Sequence, residues 1–204
     1  MASQIVSLVD IKTHLAFNNP NDSSPQDTVL QSFIDAATGW VEGRVGPVTN
    51  TGYVERHDGW GGVQIMLKHS PVLSVNYVKE YRSTGGLLVL AESTPANTLD
   101  GYQIEYPTGL ITRVFQGGWP RTFFPGSRNI EVSYIVGYEP IPAEIQLATK
   151  ELVTHWFRNT QQAPPPGGAG LGTYDATETQ AGLWQAVPYR VIDLVDRFRK
   201  QAIG

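Results

Sequence analysis

The fold is decided by residues 129–162, NIEVSYIVGYEPIPAEIQLATKELVTHWFRNTQQ. Ile130, Val132, Tyr134 and Val136 alternate with Glu131, Ser133 and Ile135, the two-residue period of a half-buried strand. Gly137 ends that strand. Pro140 and Pro142 lack the amide hydrogens of a strand ladder, and Pro142 suits the first turn of a helix, where no donor is missed. Ile145, Ala148, Leu152 and Trp156 then recur at helical spacing and predict one apolar face. Glu144 near its start and Arg158 near its end both complement the helix dipole.

Working outward, two helices are predicted before this segment. Ser7 caps the first, residues 7–17, with Asp10 reaching back in a variant of the capping box and Leu8, Ile11 and Leu15 as its stripe. The second, residues 25–45, is capped by Ser24 with Pro25 at its first position. Its expected buried face is Leu30, Phe33, Ala37, Trp40 and Val41, and Gln31, Asp35, Thr38 and Glu42 form its polar stripe. Between residues 51 and 136 the period changes to that of short strands: Tyr53–His57, Val63–Lys68, Leu73–Tyr81, Leu87–Ala91, Tyr102–Tyr106, Leu110–Phe115 and Asn129–Val136. Their spacing predicts an inserted antiparallel sandwich or barrel-like region, so the fold class is α+β.

After Gln162 the composition shifts to APPPGGAGLG (163–172) and then to a polar stretch, which reads as a linker over residues 161–187. A final amphipathic helix follows over residues 188–204, with Val191, Leu194, Val195, Phe198 and Ala202 on one face. The expected organisation is a body (1–160, with helices 7–17, 25–45 and 142–160), a linker and a docking helix.

The chain has 204 residues, 41% hydrophobic and 17% charged, which is enough for a folded body with a core. Its net charge of −4 does not invite tight nucleic-acid binding. It contains no cysteine, which excludes disulfides and thiolate chemistry. No basic region leads an apolar run at the N-terminus, and no apolar run approaches the roughly 18 residues of a membrane span, so a soluble protein made inside the cell is expected.

Catalytic patterns fail on spacing. Gly168, Gly170 and Gly172 follow three prolines rather than a strand, so they read as linker and not as a phosphate loop. His14, His57, His69 and His155 are scattered; Glu151 and His155 sit one turn apart with no third ligand placed to join them. Ser127 lacks a nucleophile elbow and a local histidine, and the acid pairs Asp35/Glu42 and Glu139/Glu144 suit solvated helix faces and turns. The reading therefore assigns no catalytic residue, no cofactor and no metal.

Four stretches, in this order, carry a family resemblance: VSLVDIKTHLAF (6–17), DTVLQSFIDAATGWVEGRVG (27–46), SPVLSVNYVKEY (70–81) and NIEVSYIVGYEPIPAEIQLATKELVTHWF (129–157), with VPYRVIDLVDRF (187–198) as an echo. Together they resemble the head-to-tail connector, or adaptor, proteins of long-tailed bacteriophages. The resemblance implies a structural virion protein of the neck, assembled in the host bacterial cytoplasm. It would form a ring with copies of itself, usually a dodecamer, below the portal protein and above a further connector, stopper or tail-terminator protein. DNA would pass through the ring without sequence-specific binding. A C-terminal arm commonly engages the portal in this family, and here that expectation falls on Trp184, Tyr189, Val191, Leu194, Val195, Arg197, Phe198, Arg199 and Lys200. Arg190, Arg197, Arg199 and Lys200 against Asp193 and Asp196 leave residues 188–204 at +2 and the remainder at −6, a charge that would repel DNA phosphate. The β region is larger than a minimal, mostly helical adaptor needs. The alternative is a small carbohydrate- or protein-binding β module whose recognition surface is an exposed Trp60, Trp119 and Phe123.

Overall fold

A computed structural model describes residues 4–82, 85–95, 99–161 and 187–199. They form four helices and seven strands: α1 (Leu8–His14), α2 (Asp27–Val45), β1 (Thr51–His57), β2 (Gln64–Met66), β3 (Val72–Tyr81), β4 (Leu87–Glu92), β5 (Gly101–Glu105), β6 (Leu110–Val114), β7 (Ile130–Val136), α3 (Ala143–Gln161) and α4 (Tyr189–Asp196). The chain divides into a helical unit, 1–46 with 141–204, and a β unit, Pro47–Pro140, inserted between α2 and α3. The fold is α+β, as the periodicity predicts.

In the helical unit, Ser7 caps α1 and forms the full capping box with Asp10. The helix stops earlier than residue 17 because Ala16 takes φ 60° and the amides of Ala16 and Phe17 turn back onto the carbonyls of Thr13 and Lys12. This is a Schellman-type end built without glycine. Helix α2 begins at Asp27, two residues later than expected, because Ser24 and Pro25 form a turn in which the Ser24 amide donates to the Asp27 carboxylate (3.1 Å). Its core face is Leu30, Ile34, Ala37, Thr38, Val41 and Val45. Thr38 therefore belongs to the core and not to a polar stripe, while Phe33 and Trp40 are only half-buried. Phe33 instead meets Trp156 of α3 at 6.2 Å between ring centroids. Lys12 is buried, and its ammonium is matched by the Asp27 carboxylate at 2.6 Å and the Asp22 carbonyl at 2.7 Å. Buried charge of this kind is tolerated only when paired in this way.

The β unit is one seven-stranded sheet rather than two facing ones, in the order β1-β7-β3-β4-β5-β6-β2. All pairings are antiparallel except β4–β5, which is parallel over Ala91–Gly101 and Glu92–Tyr102. The sheet curls: the Lys68 amide, just past β2, donates to the Glu55 carboxylate of β1 (3.2 Å), and His69 stacks on Tyr53 at 4.0 Å. Barrel-like curvature is what gathers one core from Leu67, Val78, Leu90, Ile111, Val132 and Tyr134. Strand β7 lies between β1 and β3 and is buried on both faces, not half-buried as alternation suggests. Its polar face is covered by neighbours: Glu131 accepts from Arg56 (2.8 Å) and from the Tyr77 hydroxyl (3.1 Å). Gly137 ends the strand at φ 134°, close against Thr49, where a Cβ would not fit.

At Gly101 a Cβ would land on the Ala91 carbonyl, so the parallel pairing requires glycine there. Gly101→Ala is expected to cost about 3 kcal/mol in urea denaturation. Gly52→Ala on β1, where nothing lies within 4 Å, should leave the midpoint nearly unchanged.

Candidate functional site

The features of the helical unit open to a partner converge on α2, α3 and α4. Helix α4 is only eight residues long, too short to persist alone, so its existence rests on what it packs against. Val191 and Val195, four apart, are fully buried on α2 and α3, with Leu194 and Phe198 half-buried beside them. Burying two valines supplies about 3–5 kcal/mol of transfer free energy, the largest contribution holding the helix. Two ion pairs orient it. Arg44 of α2 makes a bidentate pair with Asp196 (2.6 and 3.0 Å), and Arg190 reaches Glu151 of α3 at 3.3 Å. The hydrogen bonds from Arg44 hold the Asp196 carboxyl below the ordinary carboxylate range. Arg44 also lies over the Trp40 ring at 5.7 Å, and Gly39, Trp40, Gly43, Arg44 and Arg199 line an open cleft of about 440 Å³.

Of the arm residues singled out in the sequence, Val191 and Val195 are thus covered within the chain, whereas Tyr189 is 77% exposed and Arg197 and Arg199 face solvent. Trp184 and Lys200, like the predicted linker 161–187 from residue 162 to 186, lie outside the described residues.

One feature escaped the sequence reading. Ser32, Ala36, Gly39 and Gly43 share the solvent face of α2, and nothing lies within 4 Å of a Cβ placed at either glycine. A helix-interior glycine costs roughly 1 kcal/mol relative to alanine, and among the described residues no close approach calls for it. The spacing Gly39-x-x-x-Gly43 was the available signal.

Elsewhere, candidate chemistry resolves into structural pairs. Glu55 accepts from the Tyr134 hydroxyl and lies 3.1 Å from His57 Nε2; burial, then that carboxylate, push the Tyr134 hydroxyl up. His155 bonds Asn159 rather than Glu151, and Ser127 donates to Asp58. Asp35 accepts from Gln4 and Gln31, and Glu139 from Asn50. Among the described residues, no group of three or more His, Cys, Asp or Glu is placed to hold a metal. No described helix is long and apolar enough to cross a membrane. Trp60 and Trp119 are 83% and 74% exposed, but Phe123 is 1% exposed and belongs to the core, which removes it from the aromatic surface of the alternative reading.

A helical unit with a seated C-terminal helix and an inserted curled sheet is a fold shared with solved virion structures. A chain in the "Neck of empty GTA particle computed with C6 symmetry" matches with a TM-score of 0.60 at 16% identity, over 98% of this chain and 92% of that one. A chain of the "Virion of native gene transfer agent (GTA) particle" matches at 0.60 and 17%, with the same coverages. A third, from the "Neck of native GTA particle computed with C12 symmetry", matches at 0.55 and 16%, over 100% and 97%. No curated protein matches the chain. The head completion protein family model matches residues 4–200, and the chain belongs to that family.

Val195→Asp is expected to release α4 while the rest of the helical unit stays folded, read as rapid amide exchange confined to residues 189–196. Because the folded-state pKa of Asp196 is depressed, its contribution is complete above the ordinary carboxylate pKa of about 4 and fades as pH falls through the folded value. Exchange in α4 should therefore rise at acid pH, and Asp196→Asn should flatten that part of the profile.

Proposed function

We propose that this protein is a structural subunit of a phage neck, forming a dodecameric ring that joins the portal to the tail or to the next connector ring and leaves a channel for DNA. The observation that carries the reading is the small-residue face of α2. Ser32, Ala36, Gly39 and Gly43 let another backbone approach closely, and among the described residues nothing comes within 4 Å of a Cβ placed at Gly39 or Gly43. Membership of the head completion family and the six- and twelve-fold symmetry of the necks that hold similarly folded chains support a ring.

Charge supports the channel. Lys12, Arg44, Arg56, Lys79, Arg82, Arg113 and Arg121 each lie within 4.0 Å of a carboxylate, so few body cations remain for phosphate. DNA then slides without sticking. The portal contact falls to α4, where Tyr189, Arg197 and Arg199 are exposed in the free subunit; use of its apolar residues by the portal would first require the helix to leave its place.

Light scattering and negative-stain imaging, with and without a cognate portal, test this. The intact protein should give rings, alone or on the portal. Gly39→Leu with Gly43→Leu should stay at the 22.4 kDa of one chain while its thermal midpoint rises, because leucine is the better helix former. A wild-type monomer indifferent to portal would overturn the reading.

A further inference from the structure

The groove that holds α4 is over-supplied with chain. The last turns of α3 and the residue before α4 line one cleft of about 400 Å³: Arg158 and Asn159 on one side, Pro188 on the other. From there α4 runs back along α3, with Arg190 beside Glu151 and Asp196 beside Arg44. Two helices meeting at adjacent ends in this way need a connection of about 2–8 residues. This chain instead uses residues 162–188. Surplus tether lowers the effective concentration of a helix at its own groove, so the length works against self-seating. It allows a reach on the order of 90 Å when extended.

We propose that in the assembled ring the α2–α3 groove of each copy holds α4 of the adjacent copy. This rests on the ring reading above. Every contact named between α4 and its groove is made by side chains: Val191 and Val195 into the apolar surface, Asp196 to Arg44, Arg190 to Glu151. None depends on the two parts sharing a chain, so exchange costs no contact, as in any swap of identical elements. The charges are reciprocal: the groove presents a cation on α2 and an anion on α3, and the helix presents the opposite order. A neighbour's α4 therefore fits in one orientation only. Each copy gives one helix and receives one, a head-to-tail joint that closes when the ring does.

The chain has no cysteine, so introduced thiols stand alone. One chain carries Arg44→Cys and a second carries Asp196→Cys; the two are mixed, assembled on portal and treated with a short bis-maleimide. A second sample uses the double variant as a dilute free subunit, where the link should close within one chain. The proposal expects most mixed rings to yield covalent dimers on a denaturing gel. It expects double-variant rings to yield a ladder up to the full ring. Single-chain products alone from double-variant rings would show each helix on its own groove and overturn the proposal. Rings with unlinked thiols, which would place α4 in the portal, would overturn it equally, as would a dilute subunit that gives no link. Failure to form rings at all is detected by light scattering before linking, and sinks the ring reading instead.

Discussion

Strand β7 carries an antiparallel partner along each edge, β1 over seven residue pairs and β3 over the same span, and is buried on each face. Such a strand has no place to hide a charge, yet it contains Glu131. The cost of burying that carboxylate is met by Arg56 from one neighbour and by Tyr77 and Lys79 from the other, which pull its pKa below the usual range. Because the three donors come from both flanking strands, the ion cluster is satisfied only in one register. A slip of one residue on either side would leave Glu131 buried and unpaired while turning the core face outward. The sheet's alignment is thus set as much by one acid as by its apolar rows.

The helical unit uses the same logic at smaller scale. Lys12 and Asp27 tie the end of α1 to the start of α2, and Arg44 and Asp196 tie α2 to α4. The two pairs differ in burial and so in consequence. Lys12 is enclosed and would be left uncompensated without Asp27. The Arg44–Asp196 pair is partly exposed and orients a helix that its valines hold. The ion pair itself parts at little cost because water reaches both groups, whereas unseating the valines does not.

Much of this was legible in the chain. All seven strands fall within a few residues of where alternation put them, because turn residues mark their ends, and the capping box of α1 is a purely local signal. What local reading could not supply is what depends on distant partners. The parallel pairing of β4 with β5 hinges on a close approach at Gly101 that no pattern announces. The buried face of α2 is only partly legible: Leu30, Ala37 and Val41 are buried as expected, but the bulkier Phe33 and Trp40 lie at its border while Ile34, Thr38 and Val45 complete the core. The end of α1 at Ala16 was missed because alanine rarely takes φ 60°. For the arm, periodicity picked out Val191 and Val195, which are buried, but the helix ends at Asp196 rather than running to 204, Ala202 lies outside the described residues, and Arg44, 152 positions from Asp196, gave no sign of being its partner.

The curl of the sheet has a bearing on solubility. A strand at the border of a sheet presents unpaired amides on which foreign chains can add, the route to fibres. Here one border strand, β2, is three residues long and runs into Lys68; the other, β1, carries Arg56 and meets Lys68 and His69 at its inner face. Little flat border is left for a stray strand to copy. A chain blunted in this way tolerates crowding with its own kind.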